Sequence, residues 1–406
     1  ESADPTNASP YYNLGLMLNN ARRFDDALAQ WDKFIALKSN VAIAFCERGE
    51  ALDALGRKDE ALANFEEAVR NALDDACISA HLARAYREHG RLLDAITVLD
   101  HAIAVAPGQS VSYYERGLTY RAMHQNERAL SDFGSAIEIN PRDFPALLAR
   151  GALNGDLGAF DAAIADLNTA VEIVPNDWEG YYRRAIVYIG HGDYQSSLDD
   201  CGKVLAFWPD NALCLALQWR ANVILSNFDA ARSNADALIA THLKQYRLYR
   251  GAEQYAAGDF ASAAAEFGAY TQDTPDDAYG WLWLYLADRA LGKDDAAGLK
   301  EHAPQGDTWP ANLIRYALGA SSANSVAASV DVPDPEVRRM RSAEAAFYMG
   351  ELALVAGDKA KAAGLFEKVV KVGHAAVGPD QAESTYKIDD DLELALAIVA
   401  LHAKNP

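Results

Sequence analysis

An interval of 34 residues organises the first half of this 406-residue chain. Small residues recur at that interval at Gly15, Gly49, Ala83, Gly117, Gly151 and Ala185. Sixteen positions after them, in the same order, stand Trp31, Phe65, Leu99, Phe133, Leu167 and Cys201. Four successive units close on Pro107, Pro141, Pro175 and Pro209. A repeat of this length predicts stacked helical units, each too small to bury its apolar side alone.

Each unit is interpreted as two antiparallel helices. The small residue lies on the first helix where the second crosses closely, and the proline ends the second helix because it lacks an N–H donor. Turns between paired helices are predicted at Gly56, Gly90, Gly158 and Gly192. The predicted fold is therefore all-α: a right-handed α-solenoid of about nine to ten helix pairs plus a C-terminal helix.

This pattern resembles the tetratricopeptide repeat. Six good units run over residues 8–211, and a seventh, 212–243, is degraded because Trp219 stands where a small residue is expected. An eighth unit begins at Lys244 and contains Gly251 and Phe267. The resemblance therefore places an N-terminal solenoid of about seven repeats at residues 1–243.

The remaining region, 244–406, is predicted to be less regular. A ninth unit starts at Ala278 and loses its second-helix pattern near His302, and a tenth reappears at Ala343. An irregular insertion over 303–342 is expected to hold one short helix near 311–318 and a Ser/Pro-containing loop.

Sequence details in this region resemble the NlpI family of bacterial outer-membrane lipoproteins. They are the aromatic run at 276–287, then Trp309, the segment 316–319 and the segment 346–351. The resemblance implies a homodimeric periplasmic adaptor that gathers cell-wall hydrolases and a processing protease and has no catalytic residues. This chain departs from the family in its additional N-terminal repeats and in lacking the lipid-bearing cysteine at its start.

Net charge narrows the choice of partners. The chain has 37 basic and 58 acidic residues and a formal charge of −21, which argues against nucleic-acid binding because phosphates require clustered Lys and Arg. No stretch approaches the roughly 18 apolar residues of a membrane span. A start at Glu1 is typical of a processed, exported chain or of a truncated one. We expect a bacterial periplasmic protein, with an outer-membrane anchor in a preceding segment as an open alternative.

The sequence contains none of the catalytic or metal-binding motifs that we considered. None of the nine histidines has the spacing of a zinc helix, and neither a phosphate-binding loop nor a GxSxG motif occurs. We therefore predict no enzyme activity, no cofactor and no metal site. The aromatic residues Trp281, Trp283 and Tyr285 are interpreted as core packing in preference to a ligand-binding box.

The four cysteines allow two interpretations. Cys46 and Cys77 lie on first helices of consecutive repeats, and Cys201 lies on a second helix beside the first helix that carries Cys214. In an oxidising compartment, Cys46–Cys77 and Cys201–Cys214 are candidate disulfides that staple neighbouring repeats. The alternative is four buried thiols that pack as small apolar side chains.

Partner binding is predicted on the concave wall formed by the first helices. The candidate residues are Tyr12, Asn19, Glu50, Asp53, Arg84, Arg87, Tyr114, Arg121, Tyr182, Arg220 and Tyr255. Arginines clustered on consecutive repeats favour an acidic segment or a free chain end as the ligand. The alternative is that these arginines form solvated ion pairs with Glu88 or Glu115.

Together these features predict a non-catalytic scaffold that recruits cell-envelope enzymes by multivalent placement. A subunit that bridges other components of a secretion or polysaccharide-export assembly is the alternative within the same class. A solenoid that cradles a small molecule in its aromatic C-terminal region is the hypothesis from a different class.

Overall fold

The computed structural model describes residues 7–240, 246–294, 296–306 and 309–373, and in these residues it contains helices and no strand. The first eight helices are α1 (Ser9–Asn20), α2 (Phe24–Leu37), α3 (Ala42–Ala54), α4 (Lys58–Asn71), α5 (Ala76–Glu88), α6 (Leu92–Val105), α7 (Ser110–Ala122) and α8 (Asn126–Ile139). The next eight are α9 (Phe144–Asp156), α10 (Phe160–Ile173), α11 (Trp178–His191), α12 (Tyr194–Phe207), α13 (Ala212–Ile224), α14 (Phe228–Ala240), α15 (Arg247–Ala256) and α16 (Phe260–Asp273). The last six are α17 (Ala278–Ala290), α18 (Ala297–Glu301), α19 (Ala311–Ala317), α20 (Ala323–Val330), α21 (Pro335–Val355) and α22 (Lys359–Gly373). The predicted all-α solenoid of consecutive helix pairs is confirmed.

The chain packs as two compact units, Glu1–Leu153 and Asn154–Pro406. Their boundary falls inside α9. The boundary at 243/244 was predicted from the change in sequence character, and it stays a prediction.

One small residue and one large residue lock the helices of a pair together. A Cβ atom added at Gly117 would lie 2.6 Å from the ring of Phe133, and one added at Gly15 would lie 2.7 Å from the ring of Trp31. In the third repeat the same positions hold Ala83 and Leu99, both with no exposed surface. A methyl group on the first helix is thus matched by a smaller side chain on the second, as close packing requires.

The seventh repeat reverses this arrangement. Trp219 occupies the first-helix position of the small residue, and Ala235 occupies the second-helix position of the large one. Both are fully buried in the same core, and the Trp219 ring lies 4.5 Å from that of Tyr249. The repeat that looked degraded in the sequence therefore keeps a small–large pair with its two members exchanged.

Four half-buried arginines on first helices join the second helices of neighbouring repeats. We call them the clasp arginines: Arg48, Arg116, Arg184 and Arg250. Arg116, for example, donates to Asp100 on α6 at 2.6 Å and to Asp132 on α8 at 2.8 Å. Three of the clasp arginines are spaced by 68 residues, which is two repeats. Each clasp arginine holds its own repeat against the preceding one by charge-assisted hydrogen bonds.

The turns follow the sequence closely. Gly56, Gly90, Gly158 and Gly192 all have positive φ, between 71° and 87°, a conformation that costs glycine little. Asp75 caps α5 by accepting hydrogen bonds from the backbone N–H groups of Cys77 and Ile78 at 2.9 and 3.1 Å. Local sequence signals thus set where the paired helices begin and end.

Beyond α17 the helices differ from the prediction. The ninth pair has a second helix of only five residues, α18. The loop expected after α19 contains α20, whose first turn Ser322 caps. Helix α21 begins at Pro335, eight residues before the expected restart at Ala343, because Asp334 accepts from the Val337 N–H and proline is well tolerated in a first turn. The predicted C-terminal helix lies outside the described residues.

An aromatic cluster forms the core of this part of the second unit. Trp283 on α17 is fully buried, and its ring centroid lies 5.4 Å from that of Phe267 on α16 and 5.6 Å from that of Tyr255 on α15. On the other side it meets Phe347 and Tyr348 of α21 at 5.6 and 5.7 Å. Four helices therefore share one aromatic core.

None of the described helices combines the length and the apolar character needed to cross a bilayer.

Candidate functional site

First helices of successive repeats pack beside one another in the first unit: α1 against α3, α3 against α5, and α5 against α7. We call the surface that these four helices share the first-helix face. Asn19 on α1 donates to the Glu47 backbone oxygen at 3.0 Å and to its carboxylate at 2.9 Å. Lys58, at the start of α4, joins Asp53 on α3 to Glu88 on α5 at 2.6 and 2.8 Å. Polar side chains thus connect three consecutive repeats across this surface.

A cavity of about 400 Å³ opens on the first-helix face. Helices α1, α3 and α5 supply most of its wall, and Phe24, the first residue of α2, lines it as well. The lining residues are Leu16, Asn19, Asn20, Phe24, Glu47, Glu50, Asp53, Ala54, His81 and Arg84. Three of them are carboxylates and one is an arginine, so the wall is predominantly acidic.

Burial raises the pKa of two of these carboxylates, Glu47 and Glu50. The pKa of Glu47 is raised, mainly because the carboxyl is removed from water, although the hydrogen bond from Asn19 lowers it. Burial also raises the pKa of Glu50, against the opposing effect of Arg84. A cavity with these properties stabilises cationic groups and hydrogen-bond donors.

One polar cluster lies at the wall of the cavity. The His81 ring stacks on Phe65 at 5.8 Å, places Nε2 3.1 Å from Glu50 Oε1, and lies with Nδ1 3.1 Å from Arg84 Nη2. One potential ligand atom each of Cys46, Glu50 and His81 lies within 4.8 Å of the others. Burial, and then Arg84, lower the pKa of His81, which favours the neutral imidazole.

The sequence did not predict this cluster. Cys46 was interpreted as a disulfide partner or as a buried apolar thiol, and His81 lacks a second histidine at helical spacing. The repeat interval does contain a hint of this proximity. His81 stands 34 residues after Glu47, at the equivalent position of the next repeat, and Cys46 stands one helical turn before Glu50. Equivalent positions of adjacent repeats meet on the first-helix face, so such a register aligns their side chains.

The predicted arginines are placed differently from one another. Arg84 lines the cavity, whereas Arg87 donates to Glu115 at 2.8 Å with both side chains largely shielded. The ion pair with Glu115, the alternative considered for these arginines, is therefore present for Arg87. Arg121 is half-buried in the last turn of α7.

Two predicted tyrosines of the first unit pack against aromatic rings. The centroid of Tyr12 lies 5.5 Å from Trp31 and 5.4 Å from Phe34, and that of Tyr114 lies 6.1 Å from Phe133. Both are half-buried. Their rings complete the apolar contacts of their own repeats.

The other predicted face residues lie in the second unit and are buried. Tyr182 is 5% exposed beside Trp178, and Arg220 is 3% exposed. The Tyr255 hydroxyl donates to the buried Glu351 carboxylate at 3.0 Å. The structure therefore does not bring these three residues to the cavity of the first unit.

All four cysteines are free thiols in this structure. Cys46 is buried and Cys77 is exposed, while Cys201 and Cys214 are both buried. The pKa of Cys201 is raised well above its ordinary value, first by its hydrogen bond with Cys214 and then by burial. The two disulfide pairings stay predictions.

The aromatic run of α17 packs as predicted for Trp283 and Tyr285, which are both buried. Trp281 stacks on His302 at 4.1 Å, and its Nε1 donates to the Pro275 carbonyl at 3.0 Å. A second cavity, of about 380 Å³, lies beside Tyr285 and Tyr316 in the second unit.

Comparison with protein families agrees with this geometry. The model of the tetratricopeptide repeat family matches residues 12–76, 46–110 and 114–178. The matched residues, which lie between α1 and the start of α11, are similar to tetratricopeptide repeats. Proteins built from such repeats are generally non-catalytic scaffolds that bind other proteins.

Several solved structures are similar to part of the chain. A tetratricopeptide repeat protein from Parabacteroides merdae is 17% identical, covers 61% of this chain and 98% of its own, and gives a TM-score of 0.43. A thermophilic tetratricopeptide repeat protein from Thermus thermophilus is 26% identical, with 49% and 100% coverage and a TM-score of 0.39. MamA from Desulfovibrio magneticus is 20% identical, with 43% and 97% coverage and a TM-score of 0.36.

Proposed function

We propose that the chain is a non-catalytic scaffold that holds an extended segment of a partner protein on the first-helix face of its first unit. The observation that carries this proposal is the cavity shared by α1, α3 and α5, whose wall presents polar side chains from three consecutive repeats. A segment that crosses such a face contacts several repeats at once, which suits recognition of an extended chain.

The charge of the cavity favours one kind of segment. Glu47, Glu50 and Asp53 line the cavity with one arginine, Arg84. Lys58 pairs with Asp53, and Arg87 is already engaged by Glu115. We therefore propose a segment rich in hydrogen-bond donors, including a lysine or arginine side chain. The acidic segment predicted from the arginine cluster is the competing hypothesis, which depends on Arg84.

The cellular setting is part of the same proposal. The resemblance of the C-terminal region to the NlpI family supports a bacterial periplasmic scaffold, outer-membrane associated and dimeric, that recruits envelope enzymes. Several weak contacts on one frame raise the effective concentration of the enzymes it holds. A bridging subunit of a secretion or polysaccharide-export assembly is the alternative, and purification of the native complex distinguishes the two by its components.

Site-specific photo-crosslinking in the native host tests the binding face. A photoreactive residue replaces Asn20, which is exposed at the cavity, and in a matched control it replaces Leu93, which is 71% exposed on α6. We expect one defined partner to be crosslinked from Asn20 and not from Leu93. Equal yields from the two positions would refute the assignment of the face.

Charge variants then separate the two kinds of segment. Binding of the purified partner should weaken in Glu50→Gln together with Asp53→Asn if the segment donates hydrogen bonds. It should weaken in Arg84→Gln if the segment is acidic.

Osmotic-shock fractionation of the native cells tests the predicted periplasmic location. Recovery of the chain with cytoplasmic markers would contradict that location.

A further inference from the structure

Three side chains of different chemistry converge behind the wall of the first unit's cavity, and two of them, Glu50 and His81, line it. Cys46 and Glu50 lie one turn apart on α3, and His81 reaches them from α5. One ligand atom of each lies within 4.8 Å of the other two, and Glu50 Oε1 is 3.1 Å from His81 Nε2. Thiolate, carboxylate and neutral imidazole are the protein ligands of zinc.

The surroundings hold two of these ligands in place. The His81 ring stacks almost parallel to Phe65, at an interplanar angle of 17°. Cys46 is 3% exposed. A metal ion that used these groups would need little reorganisation of the two helices, because side chains fixed by packing orient ligands.

The cavity also contains a polar atom that no described group satisfies. Asn19 lines the cavity, and its Oδ1 is shielded from solvent and has no hydrogen-bond partner among the described residues. Buried oxygens are normally satisfied by a donor. A water molecule in the cavity, free or bound to a cation, would supply the missing donor.

We propose that Cys46, Glu50 and His81 bind a zinc-class divalent ion, with its remaining coordination position open to the cavity. Three protein ligands and an open position distinguish such a site from a closed structural zinc site. The thiol proton of Cys46 passes to solvent when the ion binds, because thiolate is the ligand. The site goes beyond the proposed binding of a protein segment and is tested without any partner.

The positive charge of Arg84 opposes binding of the ion. Its Nη2 lies 3.1 Å from His81 Nδ1, and its positive charge opposes a dication at this distance. The guanidinium charge beside His81 therefore weakens binding of the ion. Removal of this charge by Arg84→Gln should tighten metal binding by about tenfold.

Cobalt titration of the purified, reduced, metal-free full chain tests the site. Co²⁺ reports a thiolate ligand through a sulfur-to-metal charge-transfer band, and Zn²⁺ affinity follows from competition with a chelating indicator. We expect one equivalent of Co²⁺ with this band and its displacement by Zn²⁺. Absence of the band, or several weakly bound equivalents without it, would mean that surface carboxylates alone bind the ion and would overturn the proposal.

Matched variants assign the ligands. Cys46→Ser should abolish the band, while Cys77→Ser, at an exposed cysteine of the neighbouring repeat, should leave it unchanged. Glu50→Gln and His81→Asn should each weaken Zn²⁺ binding by at least about 100-fold, because even the outer partners of metal ligands contribute about 10–100-fold. His101→Asn, on α6 outside the cluster, is the histidine control.

Each variant is checked for native helicity by circular dichroism. If Cys46→Ser does not fold, the Glu50 and His81 variants decide, since unchanged Zn²⁺ affinity in both would refute the site. A band that survives in Cys46→Ser would assign the thiolate to another cysteine and refute it equally.

Discussion

The regular repeats of the first unit and the aromatic cluster of the second bury their cores in different ways. In the first unit, Trp31 and Phe133 each fill the space left by a glycine sixteen residues earlier in the same helix pair. In the second unit, Trp283 contacts rings on α15, α16 and α21, and Tyr255 and Glu351 are joined across 96 residues. The first core is a series of neighbouring contacts, whereas the second joins distant parts of the chain.

This difference sets how far damage spreads. In a stack of repeats each unit contacts only its neighbours, so stability is close to a sum of local terms. Where four helices share one core, the loss of a single ring weakens all of them together. Hydrogen exchange measured by mass spectrometry resolves the two behaviours, because it reports opening segment by segment.

The largest expected effect comes from Trp283→Ala. Truncation of a buried tryptophan costs about 3–5 kcal/mol, and we expect faster exchange in α15, α16, α17 and α21 at once. Trp31→Ala is the matched control, because Trp31 is equally buried. Its effect should be confined to α1, α2 and α3. An equally confined effect of Trp283→Ala would contradict the contrast between the two cores.

The second effect depends on pH and arises at Glu351, which the Tyr255 hydroxyl of the aromatic cluster contacts. Burial raises the pKa of Glu351 from 4.5 to about 7. Because the folded state binds this proton more tightly, the stabilisation is complete below pH of about 4.5 and is lost as pH rises to about 7, which amounts to about 3 kcal/mol.

Urea unfolding of the chain at several pH values measures this dependence. Glu351→Gln should remove the loss of stability between pH of about 5 and 8. Glu60→Gln, at an exposed carboxylate of α4, is the control and should leave that loss in place. A wild-type profile identical to that of Glu351→Gln would show that the buried carboxyl is not linked to folding.

A third test alters the small–large pair of the fourth repeat. Gly117→Ala places a Cβ 2.6 Å from the Phe133 ring and 3.3 Å from the Ala129 carbonyl oxygen, so it should destabilise α7 and α8 by about 1–3 kcal/mol. Adding Phe133→Leu recreates the Ala83–Leu99 pair of the third repeat and should recover at least half of the loss. If the double variant is no more stable than Gly117→Ala, side-chain size is not what matches the two positions.

The smallest effect concerns the caps of first helices. Asp75 caps α5, whereas Gln109, at the same place one repeat later, has similar backbone angles and no side-chain cap. Asp75→Ala should cost about 1 kcal/mol, and Gln109→Asp should gain about 0.5–1 kcal/mol. Amide exchange in the first turns of α5 and α7 measures both changes, and a gain at neither site would show that the caps are not limiting.

Sequence alone predicted the parts of this molecule that depend on local rules. The glycine turns, the helix pairs and the glycine–aromatic spacing recur within one repeat, so a single interval reveals them. The seventh repeat was predicted to be degraded because Trp219 breaks the small-residue pattern. Its exchange with the buried Ala235 keeps one large and one small side chain in the pair. Helix α20 was missed because its serine cap looked like part of a loop.

The candidate site was less accessible for a different reason. The convergence of Cys46, Glu50 and His81 depends on how helices of successive repeats face each other, which no motif within one repeat records. The same holds for Arg87, whose partner Glu115 lies on the next first helix. Tyr182, Arg220 and Tyr255 were predicted from their position in the repeat, which does not reveal that all three are buried.

The contacts of a clasp arginine depend on which repeat precedes it. Arg250 is held between Asp236, which directly follows the large-residue position of the seventh repeat, and Glu266. Deleting the seventh repeat alone would set Gly202 at the place of Asp236, whereas deleting the sixth and seventh together would set Asn168 there. Removal of these two hairpins therefore keeps a side-chain acceptor for Arg250 on the preceding repeat, whereas removal of the seventh hairpin alone leaves a glycine there.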